Sequence, residues 1–121
     1  MTTEEFQNSV EHRAKRFTPN DMGAVSPHLM DLFHAHLGLS TEVGEIGDVI
    51  KKHIVGGKPI DYYGLYEELG DLIWYAAYLA NVCGWTLEDV MADNNLKLKR
   101  RYPSGQFSAH DSLVKRDKGD I

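Results

Sequence analysis

Residues 40–52, STEVGEIGDVIKK, and residues 66–80, YEELGDLIWYAAYLA, decide the fold. In both, apolar residues return every three or four positions, the period of a helix with one buried face. The first pattern extends back through Leu29, Leu32, Phe33 and Leu37 to Ser26-Pro27, a good N-cap followed by proline at the first helical position. It runs on through Val43, Ile46, Ile50 and Ile54, with Gly38 and Ser40 as candidate break points between a short helix and a long one. Gly56-Gly57-Lys58-Pro59 stops it, and a second helix is predicted over 62–83. Beyond residue 71 that helix is apolar almost all round, so it is expected to be the most buried element. Further out, Thr2 and Glu5 have capping-box spacing ahead of a helix over 3–17, and residues 18–25 read as a loop. Thr86 caps a helix ending near Arg101, before Pro103. Residues 104–121 read as an irregular polar tail that orders only against a partner surface. No strand alternation of useful length occurs. The expected architecture is a single all-α domain over 1–121, a bundle of four to five helices around an antiparallel central hairpin.

The hairpin carries acids in unusual places. Glu42 and Glu45 are three residues apart, and Glu42 lies about 40° from Ile46, at the rim of the apolar stripe. Glu68 and Asp71 repeat the spacing, with Glu68 about 40° from Leu72. If the turn centres near Gly57-Lys58, both pairs lie roughly 15–20 Å from it, at one level of the hairpin. Two acidic pairs facing each other repel unless something positive lies between them. Hard carboxylate donors suit Mg²⁺ or Mn²⁺. The plainer reading makes these acids solvated rim charges paired with Lys51, Lys52 or Lys58. On the last predicted helix, Asn94, Lys97 and Arg101 share one face and could hold a sugar and a polyphosphate. The plainer reading there is that the cations complement a helix C-terminus.

A net charge of −5 argues against a general nucleic-acid binder, though a divalent cation lets an acidic protein bind polyphosphate. The lone Cys83 rules out an intramolecular disulfide and a cysteine-based zinc site, and reads as a small buried hydrophobe. No signal peptide or bilayer-spanning run is evident, so a cytoplasmic protein is expected. The six histidines show no shared zinc spacing, and a di-iron bundle would need Glu-x-x-His motifs where only Asp31-x-x-His34 occurs.

The two quoted stretches, with NNLKLKRRYP at 94–103, resemble the MazG-like branch of the all-α NTP pyrophosphohydrolase superfamily. Glu42 and Glu45 match its E-x-x-E element, Glu68 and Asp71 its E-x-x-D, and Asn94 and Lys97 its later helix, with Arg101-Tyr102-Pro103 following as in small members. The resemblance covers about residues 29–108. Thr41 stands where the fuller motif has a further acid, which suggests a leaner metal shell or a contribution from Asp48. The resemblance implies cleavage of a nucleoside triphosphate between its α- and β-phosphates, giving a monophosphate and pyrophosphate. It also implies a homodimer or homotetramer with sites at or near subunit contacts. In that reading Glu45 accepts the proton of the attacking water, while Lys97 and Arg101 steady the leaving pyrophosphate. Two rivals are phosphoribosyl-ATP pyrophosphohydrolase, from the same superfamily, and a non-catalytic helical interaction module whose acidic face docks a basic partner. Trp74, Tyr75 and Tyr78 are weighed between a base pocket and core packing, with core the commoner fate.

Overall fold

Helix α1, Thr3–Arg13, starts where the capping box places it. The Glu5 N–H donates to the Thr2 hydroxyl (3.0 Å) and the Thr2 N–H to the Glu5 carboxylate (2.9 Å). In the computed structural model, which describes residues 1–18 and 25–118, the chain then forms α2 (Pro27–Ile54), α3 (Tyr62–Cys83), α4 (Leu87–Arg101), α5 (Ala109–Val114) and a 3₁₀ turn at Arg116–Lys118. The described residues are all-helical, without strands. Ser26, Asp61 and Thr86 cap α2, α3 and α4 with their side-chain oxygens. Gly84 ends α3 with a left-handed φ of 74°, a conformation in which a Cβ is strained.

Three sequence expectations change. α1 stops at Arg13 rather than near residue 17, because Ala14 turns extended and the chain is then drawn to Asp31. α2 is unbroken at Gly38 and Ser40. The buried Gly38 serves a close approach: a Cβ there would lie only 2.1–2.6 Å from ring carbons of Tyr75 on α3. The tail is partly ordered against its own chain, as α5 and the 3₁₀ turn folded onto α4. Most of the loop expected at 18–25 lies outside the described residues.

α2 and α3 pair along the hairpin, α1 packs on α3 and α4, and the tail packs on α4. The buried apolar cluster is Val10, Ala35, Ala77, Tyr78 and Val82, with Phe6, Leu32, Trp74, Leu79 and Leu87 around it. α3 supplies most of it, as its sequence implies. The core therefore lies where α1 crosses the α2–α3 pair. Toward the hairpin tip the same helices leave Val43, Ile50, Ile54, Tyr62, Tyr66 and Leu69 exposed.

Two buried polar networks clamp α1 to the hairpin. Asp31 accepts from the Phe17 N–H (3.0 Å) and from Arg16 (3.1 Å), and it sits 3.4 Å from the Tyr78 hydroxyl, which also donates to the Lys15 carbonyl (3.0 Å). Burial and the Asp31 charge push the Tyr78 phenol up to about 12. At the other end, Gln7 donates to Asn81 (2.7 Å) and to the Trp85 carbonyl (3.0 Å) and accepts the first-turn N–H of Leu87 (2.8 Å). That last bond satisfies an otherwise orphaned donor at the start of α4 and so sets where α4 departs.

Asp31→Ala leaves the part-buried Phe17 N–H without its acceptor and removes one of the two carboxylates on Arg16, which keeps Glu11. It should lower stability by about 2–3 kcal/mol, read as a lower urea midpoint at unchanged slope.

Candidate metal centre

Glu42 and Glu45 stand on α2, and Glu68 and Asp71 on α3, in the middle of the hairpin. Carboxylate oxygens of Glu42, Glu68 and Asp71 lie within 4.8 Å of one another. Glu45 stands close enough to Glu68 for the two carboxylates to perturb each other. One oxygen each of Glu42 and Glu68 is shut off from solvent and has no hydrogen-bond partner. Buried carboxylate oxygens are normally satisfied, so two orphans at one point call for a missing partner that is positive.

The electrostatics agree. Burial, then the charges of Glu45 and Asp71, push Glu42 above its ordinary value, against a hydrogen bond with Glu68. Glu45 is raised by its hydrogen bond with Glu68 and by that residue's charge. For Glu68 the bond with Glu45 pulls downward, but the bond with Glu42, burial and the neighbouring charges outweigh it and the net shift is upward. Among the described residues no ion pair reaches these acids. Lys52 goes instead to Asp48 (3.0 Å), both largely exposed. The Thr41 hydroxyl bonds back to the Leu37 carbonyl within its own helix (2.8 Å). The acids present fit a hard divalent cation by donor type and by their unsatisfied oxygens.

Beside the cluster, Glu42 and Asp71 share an open cleft of roughly 320 Å³ with Trp74 and Tyr75. Tyr78, the third aromatic considered for a base pocket, is instead fully buried in the core. Tyr75 can lie there because Gly38 is bare. The sequence presents Gly38 as a break point, and only the ring across the hairpin reveals its use.

The α4 residues lie elsewhere in the chain. Asn94 and Lys97 line a separate groove of roughly 580 Å³ with Trp85, Asp89 and Asp93. Arg101, expected on the same face, is held by Asp117 through two bonds (2.5 and 2.7 Å). α4 has α1 and the tail as its main neighbours, not the α2–α3 pair that carries the acids.

Comparison with known families gives a match to the MazG nucleotide pyrophosphohydrolase domain over residues 34–106. The chain belongs to the MazG family. The matched segment contains the acidic cluster and all of α4. No curated protein and no solved structure matches the chain. Membership implies nucleotide pyrophosphohydrolase activity in general. Among the described residues, no helix is long and apolar enough to cross a membrane.

Neutralising one member of a repelling cluster should stabilise the metal-free chain. In EDTA, Glu42→Gln should melt ~2–5 °C above the unsubstituted protein, measured by circular dichroism. A lower melting temperature would mean that the acids support the fold without a cation.

Proposed function

We propose that the chain is a Mg²⁺-dependent nucleoside triphosphate pyrophosphohydrolase that cleaves between the α- and β-phosphates. The observation that carries this reading is the pair of orphaned carboxylate oxygens inside an acidic cluster within a MazG domain. Glu42, Glu45, Glu68 and Asp71 would hold Mg²⁺, with Mn²⁺ as a substitute. When bound, the ion supplies positive charge for the phosphate oxygens.

The protein's own groups do the rest. Glu45 accepts a proton from the attacking water through a carboxylate oxygen not engaged by the ion. A bond forms from the water oxygen to phosphorus, the bridging P–O bond breaks, and pyrophosphate leaves with the electron pair. Lys97 stabilises the charge on that leaving group, Arg101 grips its oxygens, and Asn94 orients the sugar.

Because α4 and the cluster are separate in one chain, the reading requires a second copy. Leu29, Phe33, Leu37, Val43, Ile50 and Ile54 present a helical apolar stripe to solvent along α2. Pairing such stripes would form a homodimer or homotetramer and bring α4 of one copy toward the acids of another.

The test is pyrophosphate release from a panel of ribo- and deoxynucleoside triphosphates with Mg²⁺, Mn²⁺ or EDTA. Metal-dependent monophosphate and pyrophosphate are expected, and release of single phosphates would overturn the assignment. Glu45→Gln should lower kcat by about 10²–10⁴-fold with the helical fold intact. Mixing inactive Glu68→Gln and Lys97→Ala chains should restore activity through hybrid sites. Continued silence of the mixture would place the whole site within one chain.

A further inference from the structure

The C-terminal segment holds a polar contact that the proposed chemistry leaves unused. Asp117 has no exposed side-chain surface, and its carboxylate meets Arg101, itself about one-fifth exposed, across the Nε–Nη2 edge. That edge is the fork by which a guanidinium takes either a carboxylate or a phosphate, so the two compete for one set of donors. Asp117 stands among cations, between Arg116 and Lys118, yet it is the acid that the chain turns inward. The turn is strained. Lys115 ends α5 with a φ of 52°, the one positive φ on a non-glycine residue among those described. The rest of the segment is braced: Tyr102 packs on Phe107, Ser108 caps α5, and Arg116 pairs with Asp111.

We propose that residues 102–118 form a strap latched onto Arg101, with Asp117 as an internal stand-in for phosphate, and that polyphosphate binding exchanges Asp117 for phosphate and frees the strap. This rests on the reading of Arg101 as a phosphate ligand. The exchange breaks no covalent bond: the guanidinium keeps two acceptors, and Asp117 returns to water, where its charge is solvated. Strain at Lys115 favours release, and the buried bidentate pair opposes it. The latch therefore lowers apparent nucleotide affinity by the fraction of chains that are closed.

The test is limited trypsin digestion of the full chain, following cleavage after Arg116 and Lys118 by mass spectrometry. The probe is inorganic tripolyphosphate with Mg²⁺. Cleavage in the unsubstituted protein should rise severalfold and saturate with the probe. Asp117→Asn should start at the high rate and no longer respond, and its KM for a hydrolysed nucleotide should fall about fivefold. Lys115→Gly, which relieves the strain, should raise KM instead. Protection of the strap by tripolyphosphate, or no change in cleavage, would overturn the latch, and neither result needs a variant that folds. If triphosphates are hydrolysed while cleavage does not respond, the latch falls and the reaction stands. If no nucleotide is hydrolysed, the reaction falls, and the tripolyphosphate digest still decides the latch.

Discussion

Acids that repel one another are held together at the middle of the hairpin, and much else in the chain is arranged around that conflict. Carboxylates of Glu42, Glu68 and Asp71 crowd within 4.8 Å, and two of their oxygens have neither solvent nor a donor. Among the described residues no ion pair offsets the repulsion, so packing elsewhere keeps α2 and α3 at this spacing. The core does so from one side, where Ala35, Ala77, Tyr78 and Val82 close the helices against α1. Asp31, about three turns upstream of Glu42 on α2, fixes the register by binding Arg16, the Phe17 N–H and the neighbourhood of Tyr78 together. Crowded acids held on a packed pair of helices fit a divalent cation, because the donors are already brought together.

The rest of the molecule divides the labour unevenly. α1 closes over Ala35, Ala77, Tyr78 and Val82, while Leu29, Phe33, Val43, Ile50 and Ile54 on α2 and Tyr66 on α3 face solvent. The polar face of α4 is carried away from the acids by the Gln7 and Asn81 network, which ties the start of α4 to α1. The proposed second copy would cover that exposed stripe and bring α4 toward the acids.

The legible parts of this chain were those set by local chemistry. The Thr2–Glu5 capping box, Ser26-Pro27, the glycines at 56–57 and Gly84 mark helix ends through interactions within a few residues, and the helices begin and end close to those signals. Two E-x-x-acid pairs equidistant from a turn follow from helical rise alone. What was not legible depends on contacts distant in sequence. Gln7 looks like any surface glutamine until it meets Asn81 and Leu87. Gly38 reads as a break until Tyr75 lies across it. The tail reads as irregular because Asp117, the residue that docks it, finds its partner sixteen positions away on the far side of a turn. Arg101 was legible as a cation on the α4 face but not as one already engaged.

Direct titration with Mn²⁺, followed by electron paramagnetic resonance, tests whether the acidic cluster holds a divalent cation without assuming a substrate. The unsubstituted chain should bind Mn²⁺ saturably, with displacement by excess Mg²⁺ and loss of binding in Glu68→Gln. Binding that survives Glu68→Gln unchanged, or free Mn²⁺ signal throughout the titration, would contradict a cation site there.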